Sequence, residues 1–184
     1  MGYITTRFYI FPKSKSENIV NTYNILLRGV NVGGKNLLPM KKLAADLEES
    51  GFEGVKTYIQ SGNIVLKSAK DPEQEIGSLI LDKFGFIPDV LVLSNNEFTC
   101  AVSENPYQEQ EAKTVYLYFC KEMPKADPSK LEAFSSVTES YELNGKVFYL
   151  HAPDAINTSS TGFTWNQAEP RQNYQSNTLA KAIT

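Results

Sequence analysis

Histidine, cysteine and tryptophan are almost missing from this chain of 184 residues, which holds one, two and one of them. The single histidine, His151, excludes a metal site built on a histidine pair and any relay between two imidazoles. The two thiols, Cys100 and Cys120, make neither a disulfide framework nor a zinc spacing, and they fit a reducing, cytoplasmic setting. Positive charge is short as well. Eighteen Lys and Arg stand against 21 Asp and Glu, for a net charge of -3, so no global field recruits nucleic acid and any anion site has to be local. No apolar run approaches a membrane span, and residues 1–11 lack the long apolar core of a secretion signal. Neither a membrane partner nor export is expected.

What is present is glycine in pointed places. Two polar segments, Arg28-Gly29-Val30-Asn31-Val32-Gly33-Gly34-Lys35-Asn36 and Gln60-Ser61-Gly62-Asn63, each follow a short apolar run that reads as a strand. Residues 23–27 form the first such strand. Pro39 then suits the first position of a helix whose Met40, Leu43, Ala44 and Leu47 share one face, and Gly51 ends it. Residues 55–59 and 64–66 read as a hairpin turning through Ser61-Gly62-Asn63. Asp71, Pro72 and Gln74 open a second helix that buries Ile76, Leu79, Ile80 and Phe84 and stops at Gly85. Residues 90–93 make a fourth strand, and βαββαβ is the order of a ferredoxin-like plait.

The second half repeats this more weakly. Ser94 with Glu97 forms a capping-box pattern opening a helix through Phe98, Ala101 and Val102, which Pro106 closes. Residues 114–120 alternate as a strand, Asp127-Pro128 starts a short helix carrying Leu131 and Phe134, and residues 141–150 read as a hairpin with Asn144-Gly145 as a type I′ pair. From Ala155 the chain is rich in Ser, Thr and Asn until a helical tail at 177–183, and no last strand can be placed. The expected class is α+β, two ferredoxin-like plaits in tandem, with antiparallel sheets and the helices on one face. The expected division is an N-terminal extension at 1–22, a plait carrying the glycine segments at 23–94, and a connecting helix with a second plait-like unit at 95–184. Within the extension, residues 12–18 read as a polar linker and residues 6–11 as a strand-like lead.

The run from Tyr23 to Asn36, together with Tyr58-Ile59-Gln60-Ser61-Gly62-Asn63-Ile64-Val65, resembles the bacterial family catalogued as domain of unknown function 1697. Asn105-Pro106-Tyr107 and Phe148-Tyr149-Leu150-His151 are weaker matches. The resemblance spans residues 23–151 and implies tandem ferredoxin-like plaits with no established activity. The extension before Tyr23 departs from the family pattern. So does the C-terminal element, where Arg171-Gln172-Asn173-Tyr174 and Asn177-Thr178 match only loosely.

As chemistry, Gly29, Gly34 and Lys35 fit the first seven positions of a P-loop, but Asn36 stands where a Ser or Thr would bind magnesium. No carboxylate ends an apolar strand as a metal partner would, so nucleotide hydrolysis, a metal and a cofactor are not expected. Free amides ahead of a helix still favour an anion. The plain alternative is a loop whose glycines only make it turn. In a βαββαβ plait the first strand-to-helix loop and the β2–β3 hairpin leave the sheet at one end. Arg28, Asn31, Gly33, Gly34, Lys35, Asn36, Gln60, Ser61 and Asn63 are therefore expected to converge as a rim that binds a small anionic or phosphorylated ligand. An enzyme using that rim as a substrate clamp, with Ser61 or a C-terminal residue doing chemistry, is a second reading. A third is single-stranded nucleic-acid binding through a tyrosine face of Tyr116 and Tyr118, joined by Tyr149, although the basic stripe it needs is missing. A Cys120–His151 nucleophile pair is the weakest candidate, because both residues end apolar strand patterns.

Overall fold

The computed structural model describes residues 19–58, 60, 62–124, 129, 137–154 and 173–176. The proposed linker, the strand-like lead at 6–11, all of the helix at 127–134 but residue 129, the loosely matching Arg171-Gln172 pair and the helical tail at 177–183 lie outside the described residues. Within them the protein is mixed α+β, with two antiparallel four-stranded sheets and three α-helices.

The first sheet holds β1 (Asn21–Arg28), β2 (Glu53–Tyr58), β3 (Asn63–Ser68) and β4 (Asp89–Ser94), in the order β2-β3-β1-β4. Strand β1 is central, and its alternation sorts the molecule into layers. Ile25 and Leu27 face helices α1 (Met40–Glu49) and α2 (Glu73–Phe84), joining Leu43, Leu47, Ile76, Ile80, Ile64 and Leu66 in one buried cluster. The 3.6-residue spacing of those helical positions makes this possible. Pro39 occupies the N-cap of α1, and the Asp71 carboxylate accepts the Glu73 N–H at 2.9 Å where α2 begins. Gly85 closes α2 in the left-handed conformation, φ +79°, which glycine adopts without a Cβ penalty.

The opposite face of β1 is covered by the second half of the chain. Leu26 and Leu91 pack with Phe98 and Ala101 of α3 (Asn95–Ser103) and with Val115, Leu117, Phe119 and Tyr149. Helix α3 starts with the expected reciprocal capping box between Ser94 and Glu97. The second sheet comprises β5 (Val115–Cys120), β6 (Ser140–Asn144), β7 (Val147–His151) and β8 (Asn173–Ser176), ordered β6-β7-β5-β8. Strand β8 carries no apolar alternation, so main-chain pairing with β5 defines it.

Three expectations are corrected here. The β6–β7 loop pairs Asn144 with Val147, so its central residues are Gly145 and Lys146, not Asn144-Gly145. Gly145 has φ +56° and Lys146 does not share that sign, which is the II′ sense rather than I′. Tyr149 lies opposite Leu117 while Tyr118 lies opposite Phe148, so Tyr149 enters the layer between the sheets and leaves the face of Tyr116 and Tyr118. Those two rings are 4% and 0% exposed, in a cluster with Phe148 and Leu150. They offer no free face on which a base could stack, and the nucleic-acid reading loses its platform.

Tyr149 and Asn24 are two of the polar side chains in the layer between the sheets. Tyr149 donates its hydroxyl to the Ala101 carbonyl at 2.9 Å, and burial, then the charges of Glu104 and Glu142, push its pKa up to about 12. The neutral phenol is thus favoured in the folded state, so its stabilisation is complete below the unfolded value near pH 10. It is lost as pH rises through about 12. Stability measured by urea unfolding should fall across that window, and Tyr149→Phe should remove the fall while costing about 1 kcal/mol at neutral pH. Asn24 is 1% exposed, and among the described residues neither its Oδ1 nor its Nδ2 has a hydrogen-bond partner. Asn24→Val should therefore raise the unfolding free energy by about 1 kcal/mol or more, because an unsatisfied amide is replaced by a β-favouring apolar side chain.

Candidate functional site

The two glycine segments do meet at one end of the first sheet. Beyond Arg28 the chain forms a small hairpin finger: Asn31 N–H donates to the Asn36 carbonyl at 3.1 Å, and Lys35 N–H to the Val32 carbonyl at 3.1 Å. Gly33 and Gly34 form its apex with φ +58° and +74°, the two left-handed residues that a type I′ turn demands. Their amides make no main-chain hydrogen bond among the described residues, and both glycines are exposed.

Asn31 ties the finger to the sheet. Its Oδ1 accepts the Leu38 N–H at 2.7 Å, while Nδ2 donates to the Leu38 carbonyl at 2.9 Å and to the Gln60 carbonyl at 2.9 Å. Asn36 closes the base from the other side, donating to the Gly29 carbonyl at 2.8 Å. Both asparagines adopt positive φ, +54° and +49°, a conformation tolerated because local side-chain hydrogen bonds compensate it. The side-chain bonds of Asn31 and Asn36 are thus committed to shaping the rim.

Arg28, Asn63 and Gln60 belong to the base. Arg28 follows Asn24 and Leu26 on the face of β1 turned to the second sheet, and Asn63 lies opposite Leu26, 1% exposed. Ser61 lies outside the described residues. The apex is separate: Gly33 is five residues beyond Arg28, up to about 16 Å at about 3.3 Å per extended residue. Arg28 is half-buried, and its Nη1 is buried with no hydrogen-bond partner. Asp89 is its directly opposed residue on β4, yet among the described residues neither Arg28 nor Lys35 has an ion-pair partner.

Gly62 supplies the positive φ expected of the turn through Ser61-Gly62-Asn63 and has a packing role that the sequence concealed. It accepts the Leu27 N–H at 2.9 Å through its carbonyl, and a Cβ there would sit 2.8 Å from both Leu27 Cβ and Val30 Cγ2. Its φ of +81° adds a second reason for glycine. The Val-Gly-Gly-Lys run was the available signal for the finger, since a Gly-Gly pair between strand-forming residues marks a two-residue hairpin turn.

The remaining candidates separate. His151 stacks on Tyr107 with ring centroids 5.8 Å apart and lies opposite Val115, whereas Cys120 ends the same strand, roughly 17 Å further at about 3.3 Å per residue. They form no catalytic pair. Among the described residues no cluster of His, Cys, Asp or Glu could hold a metal, and no helix is long and apolar enough to cross a membrane.

Fold and rim together define an α+β protein of two packed antiparallel sheets whose first sheet ends in a glycine finger. The chain belongs to the family described as protein of unknown function (DUF1697), whose model matches residues 20–149. It is similar in structure to the conserved bacterial protein SP0830 from Streptococcus pneumoniae, at 22% identity and a TM-score of 0.65 over 89% of this chain and 97% of that one. No curated protein matches it.

Replacing Gly62 by alanine should cost about 1–3 kcal/mol of stability through the overpacked contact with Leu27 and Val30, with further strain from the positive φ. Gly34→Asn, at an apex position where a Cβ meets nothing within 4 Å, should be nearly neutral. Chemical denaturation of the two variants measures the contrast.

Proposed function

We propose that the protein binds a small anionic or phosphorylated ligand at the base of the finger. Arg28 is the electrostatic anchor, and Lys35 with the Gly33 and Gly34 amides supplies a second, outer contact. The observation that carries this is the Arg28 guanidinium: half-buried, with Nη1 buried, and without a carboxylate or hydrogen-bond partner among the described residues. A partly desolvated cation lacking a counter-charge is costly, and an anion received there restores the balance. The rim is rigid because Asn31 and Asn36 spend their side chains holding it, so little ordering entropy is lost on binding. In the same reading the two sheets are tandem ferredoxin-like plaits, and the chain works in the cytoplasm as a binding module.

Thermal unfolding in inorganic phosphate, nucleoside phosphates and sugar phosphates tests the reading. A ligand at a hundredfold its dissociation constant should add about 2.7 kcal/mol, less at high ionic strength. Arg28→Ala should abolish that gain while leaving the unliganded protein as stable as before, and Lys35→Ala should reduce it partially. Equal ligand responses in wild type and both variants would remove the site. A large loss of stability in unliganded Arg28→Ala would instead make Arg28 a structural residue.

A further inference from the structure

The outer edge of β4 is built differently from the other edges whose side chains are described. Leu27 N–H bonds to Gly62 on the β3 side, so by antiparallel alternation Asn24, Leu26 and Arg28 turn their main-chain groups to β4. Their partners Leu93, Leu91 and Asp89 are therefore engaged, and the N–H and C=O of Val90 and Val92 point away from the sheet. Ser94 confirms the phase, since its outward N–H is taken by the Glu97 carboxylate at 2.8 Å. Among the described residues nothing takes the outward groups of Val90 and Val92.

Edge strands are normally blunted by charges, bulges or proline. Strand β2 obeys, with a register shift between Glu53 and Lys56 and both charges on it. Strand β6 obeys too, with Ser140, Glu142 and Asn144 along its length. Strand β4 presents Val90-Leu91-Val92-Leu93 in unbroken register with β1. Beside it runs a groove of about 480 Å³ along α2, floored by Gly77 and Ser78 and containing Leu81 and Ile87. These two apolar side chains are 46% and 67% exposed.

We propose that this edge is a self-association surface, and that its occupant is β4 of a second copy of this chain. With a two-fold axis at Leu91, Val90 of each copy pairs with Val92 of the other, and all the free main-chain groups are used. The two α2 helices then lie antiparallel on the same face of the joined sheet. Room for them is left at Gly77, where a Cβ would meet nothing within 4 Å, and Leu81 and Ile87 fill the seam. Charge favours a second copy over an unrelated strand. The two-fold brings Asp89 to the Leu93 end of the other β4, where Lys121 reaches round the edge to Glu73 at 2.6 Å. That ion pair is exposed on both sides and so holds the edge weakly, and Lys121 can turn from it to Asp89 of the second copy. This goes beyond the anion site and does not depend on it.

Sedimentation equilibrium from micromolar to submillimolar protein should show a monomer–dimer equilibrium. Hydrogen exchange at Val90 and Val92 should slow as concentration rises. Asp89→Lys, at an exposed residue with no ion-pair partner among the described residues, should weaken the dimer by about tenfold or more through opposed like charges. Val92→Pro removes an outward N–H that β1 does not use and should give a folded monomer by circular dichroism; should it fail to fold, Asp89→Lys decides alone. A monomer at every concentration overturns the proposal, as does a dimer in which both amides exchange freely or which Asp89→Lys leaves intact. Protection of these amides only on adding another polypeptide would also overturn it, giving the edge to that partner.

Discussion

Strand β1 is apolar on two faces at once, and the rest of the molecule is arranged around that constraint. Antiparallel sheets commonly leave one face to water and alternate accordingly. Here Ile25 and Leu27 face the two helices while Leu26 faces α3 and the second sheet. Burying both sides of a strand is worth about 1.5–3 kcal/mol for each large side chain, and it binds the two halves of the chain through one central element. The same alternation places Asn24 and Arg28 on the inter-sheet side, next to Leu26, where neither finds a hydrogen-bond partner for its buried atoms among the described residues.

Much of the first sheet was legible because short-range signals agreed with one another. The helical stripes, the left-handed stop at Gly85 and the capping box at Ser94 and Glu97 all report local physics, and all appear as expected. The second sheet was harder. Tyr141-Glu142-Leu143-Asn144-Gly145 carries a strong hairpin signal, yet pairing shifts the turn to Gly145-Lys146 because Asn144 remains in register with Val147. Strand β8 has no pattern to read, since its neighbours and not its side-chain periodicity make it a strand.

The glycine segments show why a motif is weaker than its geometry. Gly29, Gly34 and Lys35 suggested a phosphate loop by spacing, and in the structure Gly34 forms with Gly33 the apex of a two-residue turn. Asn31 and Asn36 suggested ligand donors, and their side chains hold the loop to Leu38, Gln60 and Gly29. The two segments do meet at the base, where Asn31 bonds to the Gln60 carbonyl, and this followed from topology and not from residue identity; the apex stands apart from it. The packing role of Gly62 joins residues far apart in the chain, and no local signal carries it.

Arg28 and Asp89 face each other across β1 and β4 in direct register, and opposed charges in that arrangement ordinarily pair. They do not pair here. Arg28 projects from the face shared with Asn24 and Leu26, where part of its guanidinium is withdrawn from water, whereas Asp89 is exposed at the mouth of the α2 groove. A cation that is partly buried pays desolvation, and an exposed carboxylate beside it would relieve only a screened fraction of that cost. Water solvates the exposed carboxylate, so the cost of leaving the pair unformed falls on the buried part of the guanidinium. In the proposed function an anion at the base of the finger answers the first charge, and in the proposed dimer Lys121 of a second copy answers the second, so both proposals draw on one unformed cross-strand ion pair.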